Sequence, residues 1–188
     1  QSWFLDMQLV MGYWGGESKR AYHHTAPVNA LYALHESLLM LREEGLEAAI
    51  ARHRRNHTAL VAGLSALGLD MAVEAEHRLP QLNAVCIPEG VDDAAVRRQL
   101  LTEFQLEIGA GLGPLASKVW RIGLMGHASN RRNVLYCLGA LEAVLTGAGA
   151  RIEPGRAVAA AQAYQPEYLY PVSSQLPRRG RASTSDGA

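Results

Sequence analysis

From Val28 to Leu67, leucines recur at three- and four-residue spacing, and the run breaks once, at Gly45. Leu31, Leu34, Leu38 and Leu41 share one helical face before the break. Leu46, Ile50, His53, His57, Leu60, Leu64 and Leu67 line one side after it, with Gly68 placed to cap. Two long amphipathic helices in succession attach the remainder of the chain to further structure upstream. Pro27, just before the first helix, suits an extended approach to it.

Beyond Gly68 the elements shorten. Residues 69–73 and 82–87 read as strands, Pro88-Glu-Gly90 as a turn, and Asp92 as the N-cap of a helix to about Phe104. Residues 105–108 are strand-like, 109–117 form a glycine-rich loop, and 118–125 alternate as a strand. Ser129 is placed to cap a last helix that buries Val134, Leu135, Leu138, Leu141 and Leu145. The order strand, strand, helix, strand, strand, helix predicts an α+β fold, a small sheet covered by helices. After Gly147 the pattern stops. Residues 148–188 are rich in Ala, Gly, Pro, Arg and Ser, without amphipathic periodicity after about Ala163. They read as a surface arm with a disordered end, with Tyr164, Tyr168 and Tyr170 docking it locally. At the other end the chain opens on apolar residues without an initiator methionine, as expected of a chain cut inside a larger protein.

Charge narrows the function classes. The 188 residues carry 18 basic and 18 acidic side chains. No basic field points to nucleic acid or an anionic membrane. Cys86 and Cys137 cannot make a disulfide framework or a four-thiolate zinc site, which favours a reducing, cytoplasmic compartment. No window approaches a membrane span, and Asp186-Gly-Ala188 is not a peroxisomal address. Among the 18 basic residues only Lys19 and Lys118 are lysine, so a reactive lysine has two candidates.

Several constellations could carry chemistry. His53 and His57 have the spacing of a two-histidine metal face, but Arg-Arg-Asn between them lacks the glutamate of a zinc protease and opposes a dication. Two half-buried helix histidines are the simpler reading. Gly109-Ala-Gly-Leu-Gly113-Pro114 precedes a strand, so no helix N-terminus faces a pyrophosphate. The loop either brings backbone close to a ligand or makes a tight turn. Arg121 stands in an otherwise apolar strand, Val119-Trp-Arg-Ile-Gly-Leu-Met125, where an unpaired guanidinium is costly. A structural carboxylate or a ligand carboxylate would satisfy it, and physics alone favours the former. Tyr22-His-His-Thr25 puts a phenol and a hydroxyl before a helix start, able to donate to an anion or simply to cap. Cys86 and Cys137, among apolar residues, read as core thiols.

Tyr22-His-His-Thr-Ala-Pro27, Leu31-Tyr-Ala-Leu-His-Glu-Ser37, Gly45-Leu-Glu47, Leu67-Gly-Leu69, Gly111-Leu-Gly-Pro114 and Arg121-Ile-Gly-Leu-Met-Gly126 succeed one another as in the class V aminotransferases. Over residues 3–146 the chain resembles their alanine–glyoxylate (serine–pyruvate) branch. The resemblance implies a pyridoxal 5'-phosphate enzyme of fold type I, a homodimer with active sites at the subunit interface. It implies that Tyr22 and Thr25 bind the cofactor phosphate of the neighbouring subunit, and that Arg121 holds the substrate carboxylate beside Gly111 and Gly113. The ligand role for Arg121 thereby overtakes the structural one.

The same resemblance exposes a gap. The family's Schiff-base lysine precedes everything in this chain, and neither Lys19 nor Lys118 matches its motif. The expectation is therefore a C-terminal half: residues 1–27 from the large cofactor-binding domain, 28–147 the linker helix and small domain, 148–188 the arm. No catalytic residue of this chain is expected, nor transamination by it alone. The upstream half would come from the same enzyme, possibly as a separate chain. The alternatives are another class V enzyme (phosphoserine aminotransferase or cysteine desulfurase type) and a non-catalytic α+β binding or dimerisation module.

Overall fold

The computed structural model describes residues 2–13 and 23–164. The chain divides into two compact units, Gln1–Ala49 and Ile50–Ala188.

In the first unit, Asp6 starts the short helix α1 (Met7–Met11), its carboxylate accepting from the amides of Gln8 and Leu9 at 2.9 and 3.3 Å. Residues 23–27 run without regular structure into α2 (Val28–Glu44). Gly45, at φ +87°, ends α2 in a backbone region that side chains rarely adopt. The leucine face of α2 is as regular as the periodicity predicts, yet all four leucines are exposed. A third helix, α3 (Leu46–Ala66), begins directly afterwards and runs into the second unit. It closes at Gly68, φ +81°, with the Leu69 amide bonded back to the Leu64 carbonyl at 3.0 Å, as in a glycine-terminated helix end.

The second unit is built on a three-stranded antiparallel sheet of order β1-β3-β2, with β1 (Leu82–Cys86), β2 (Gly109–Ala110) and β3 (Val119–Gly123). Between β1 and β2 lies α4 (Asp93–Phe104), N-capped by Asp92, whose Oδ1 accepts from the Ala95 amide at 3.1 Å. After β3 come α5 (Arg131–Gly147) and α6 (Ala157–Ala163). The core gathers Leu60 and Leu64 of α3 with Leu67 just beyond its end, Val85, Trp120 and Ile122 of the sheet, Val96 and Leu100 of α4, and Val134, Leu138, Leu141 and Leu145 of α5. Each such side chain removed from water is worth about 1.5–3 kcal/mol before entropy. Helices on one side of a small antiparallel sheet are the α+β layer expected from the sequence.

Five local expectations are corrected. Residues 69–73 form no strand. Met71 makes a single bridge to Val85, flanked by Ala72 and Asp70 bonds to β1, before the chain turns into a 3-10 turn at Ala75–His77. Residues 105–108 do not join the ladder either, because Gln105 takes a left-handed conformation (φ +50°) to terminate α4. Its amide and that of Leu106 are committed to the Leu101 and Leu100 carbonyls. Pairing starts only at Gly109, so the first two residues of the expected glycine loop are strand. The cap of α5 is Asn130, whose Oδ1 accepts from the Asn133 amide at 2.9 Å, and Ser129 is instead fully buried. Finally, α6 buries Ala157 and Ala161 in the core, a helix whose run of alanines carries too little apolar contrast to show as a period.

Candidate functional site

The site is built on the alternation of β3. Trp120 and Ile122 point into the core, so Arg121 must point to the opposite face. Its register partners there are Ala84 on β1 and Gly109 on β2, two of the smallest residues available. The guanidinium is half-buried over Gly109: a Cβ built on that glycine would lie 3.2 Å from Nη2 and 3.4 Å from Nε. Nε donates to the Ala110 carbonyl at 2.7 Å, the one hydrogen bond the Arg121 side chain makes among the described residues. No described carboxylate pairs with it. The structural ion pair that physics alone favoured is thus absent among the described residues, and the Nη edge is left to other partners.

The loop after β2 turns back toward the start of β3. Gly111 continues the ladder by donating to the Val119 carbonyl at 2.9 Å, and the chain then turns through a 3-10 turn at Gly113–Leu115. A Cβ on Gly111 would sit 1.9 Å from the Leu115 carbonyl oxygen and 3.1 Å from Val119 Cγ2, so no side chain fits. Gly113, at φ +54°, meets a conformational demand instead. Gly111 thus lies at the end of the strand pair that carries Arg121, and Gly113 lies in the turn that follows. Lys118 lies at the foot of β3, exposed, its carbonyl accepting from Ile87.

Residues not singled out from the sequence hold this strand. Trp120 donates its indole N–H to Asp93 Oδ1 at 2.9 Å, and Arg97 grips the same carboxylate through Nε at 2.7 Å and Nη2 at 3.2 Å. The Arg97 bond holds the Asp93 carboxyl below its ordinary value; burial opposes the shift, and the Arg97 charge and the Trp120 N–H add to it. The pair raises Arg97 in turn. Asp93 and Arg97 at i, i+4 in the first turn of α4 were visible as a pair, but Trp120 as third partner was not.

The expected histidine pair also has defined work. His57 Nδ1 donates to Asn83 Oδ1 at 2.6 Å, while Asn83 Nδ2 donates to the Ile122 carbonyl at 3.2 Å, tying α3 to the sheet. His53 Nε2 accepts from the Gly126 amide at 3.1 Å, which requires that nitrogen unprotonated. Arg52 donates to the Gly126 and Ser129 carbonyls at 2.9 and 2.6 Å, and Asn56 to Ser129 Oγ at 3.1 Å. Arg52, His53 and Asn56 on the inward side of α3 thus clamp the turn after β3. Among the described residues no three His, Cys, Asp or Glu converge as a metal set. Cys137 is buried and its thiol is pushed up to about 12 by desolvation, the property of a core thiol; Cys86 is half-buried on β1.

In the first unit, Thr25 is exposed just before α2, whose N-terminal turn carries no side-chain cap because the cap position is Pro27. Beside it, His24 packs against Phe4 and Tyr13, and its Nδ1 is buried without a hydrogen-bond partner among the described residues. Tyr22 and Lys19 lie outside the described residues.

No family model matches the chain. The (S)-ureidoglycine–glyoxylate transaminase of Bacillus subtilis is 42% identical over 158 residues, 84% of this chain and 38% of that protein. The alanine–glyoxylate aminotransferase of Felis catus is 40% identical over 146 residues, 77% of this chain and 35% of that protein. The crystal structure of ureidoglycine–glyoxylate aminotransferase from Bacillus subtilis superposes with a TM-score of 0.80 at 41% identity, covering 87% of this chain and 42% of that one. The chain spans about two fifths of the length of these relatives. Their likeness runs through the sheet, the Arg121 strand and the helices around them, and the chain belongs to the class V aminotransferases of fold type I, matching their C-terminal portion.

Proposed function

We propose that this chain is the substrate-carboxylate-binding part of a pyridoxal-phosphate-dependent aminotransferase that moves an amino group from a small amino acid to glyoxylate or another 2-oxo acid. Alanine and serine are the donors in this reading, and ureidoglycine, named in the Bacillus subtilis relative, stands beside them. The observation that carries it is Arg121: a half-buried guanidinium, floored by Ala84 and Gly109, with no carboxylate partner among the described residues.

Donor and acceptor both bear a carboxylate next to the reacting carbon. Arg121 would grip that group in each half of the reaction and so present the same carbon at the same place. A desolvated guanidinium–carboxylate pair contributes about 2–5 kcal/mol. In this reading Gly111 and Gly113 lie near the bound carboxylate, and Gly111 admits no side chain because its Cβ would sit 1.9 Å from the Leu115 carbonyl oxygen. The cofactor, when bound, supplies an electron sink for the pair left as the α-proton departs. The residues of this chain fit its phosphate at one place: the Thr25 hydroxyl beside a helix N-terminus that no side chain caps. Tyr22 is its expected companion. The lysine that bonds the cofactor belongs to the part of the enzyme outside this chain's match, and the catalyst is a homodimer whose sites combine residues of two subunits, in the cytoplasm.

Among the described residues no helix is long and apolar enough to cross a membrane. In the complete enzyme, Arg121→Ala should raise KM for alanine and glyoxylate on the order of a hundredfold while pyridoxal phosphate is retained. Unchanged steady-state constants would remove Arg121 from the site. Thr25→Ala should weaken cofactor retention, read as a higher dissociation constant at unchanged substrate KM.

A further inference from the structure

We propose that Gly109 is a positioning residue for Arg121: the bare Cα at 109, together with the Ala110 carbonyl, aims the guanidinium so that a carboxylate is met end-on, through Nη1 and Nη2. This rests on the carboxylate role proposed for Arg121. A guanidinium offers a carboxylate two bidentate edges, Nε with Nη2 or Nη1 with Nη2. Nε is already bonded to the Ala110 carbonyl at 2.7 Å, which takes the first edge out of use. The second edge is the one that no described residue occupies.

Gly109 is where a side chain would disturb this. A Cβ there would meet Nη2 at 3.2 Å, tight enough to push the planar group aside by a few tenths of an ångström, with Nε at 3.4 Å and the Arg121 Cβ at 3.5 Å in ordinary contact behind it. Nothing else at this position calls for glycine. Its φ lies outside the left-handed region, so alanine is compatible with the backbone, and none of the three nearest atoms to the added Cβ is backbone. Gly111, two residues on, differs on this point, since there the obstacle is the Leu115 carbonyl. A glycine weakens so short a strand as β2, and its use here is the close approach it allows to a neighbouring functional group. A displacement of a few tenths of an ångström spoils an end-on pair, because both hydrogen bonds depend on one plane.

The test uses the complete, cofactor-loaded enzyme, with alanine as donor and propionate, a carboxylate lacking the amino group, as competitive inhibitor. Gly109→Ala should raise the propionate inhibition constant and the alanine KM together by about three- to tenfold, with kcat held within about twofold. Arg121→Lys, which keeps the charge but loses the plane, should raise both further. In that background, adding Gly109→Ala should change neither by more than about twofold, since the group it displaces is gone. Equal multiplicative effects of Gly109→Ala in both backgrounds would mark a general structural role and overturn the proposal. So would an unchanged inhibition constant in Gly109→Ala. If Arg121→Gln leaves propionate binding unaltered, the carboxylate role itself falls; if that variant loses propionate and Gly109→Ala does not, only the positioning role falls. A measurement on the unaltered protein needs no folded variant: the Arg121 Nε–H should exchange with solvent markedly more slowly than that of the exposed Arg98. Equal rates would overturn the anchoring at Ala110.

Discussion

The two leucine-lined helices, α2 and α3, share one periodicity and have opposite fates. Leu31, Leu34 and Leu38 on α2 are 51%, 55% and 56% exposed, whereas Leu60, Leu64 and Leu67 at the end of α3 are wholly buried. An amphipathic pattern states that a face wants cover; it does not say where the cover comes from. In the second unit the cover is α5 and the sheet. For α2, a subunit interface in the proposed dimer would supply it.

That contrast can be tested by its energetics, read from urea unfolding of this chain. The largest effect is expected for Leu64→Ala, about 2–5 kcal/mol, because a buried leucine leaves both lost contacts and a cavity. Leu34→Ala should change stability by less than about 0.5 kcal/mol. Equal losses at the two positions would erase the distinction.

Next comes Asp93→Ala, expected to cost about 1–3 kcal/mol by stranding the Trp120 indole N–H in the core wall. Its pH dependence has a definite sign. The Asp93 carboxyl titrates below its ordinary value in the folded chain, so its contribution is complete above the ordinary carboxylate range and is lost as pH falls through the lowered value. The stability gap between the unaltered chain and Asp93→Asn should therefore be flat near neutrality and close on acidification. A gap that widens in acid would contradict the bond pattern around Asp93. Asn130→Ala should cost about 1 kcal/mol as the loss of a helix cap. Smallest is Arg156→Ala, whose exposed pair with Glu153 spans 2.7 Å at the surface, at under about 0.5 kcal/mol. A loss there as large as at Asn130 would show that exposure had been misjudged as a guide to coupling.

Local chemistry was readable along the chain, and long-range partnership was not. Asp92 announced α4 because a carboxylate three residues before a free amide is a local arrangement. Asn130 and Ser129 are both competent caps, and the choice between them rests on Asn56 and Arg52, more than seventy residues away. Residues 105–108 have strand composition, but the need to terminate α4 claimed the Gln105 and Leu106 amides first. At the site, the cost of burying a guanidinium marked Arg121 from sequence. The two small residues beneath it became visible only through register, as Ala84 lies on one neighbouring strand and Gly109 on the other. The resemblance to class V aminotransferases bridged part of that distance, since its motifs carry the outcome of pairings that composition cannot express.

The alternation of β3 has a consequence for folding fidelity. Trp120 and Arg121 are adjacent and face opposite sides of the sheet, one in the core and one over Gly109. A slip of one residue in pairing would exchange them, pushing a guanidinium into an apolar interior and an indole onto the opposite face. The penalty for an unpaired buried charge makes that misregistered sheet a poor competitor. The arginine that would receive a substrate therefore also proofreads the alignment of the strand that carries it.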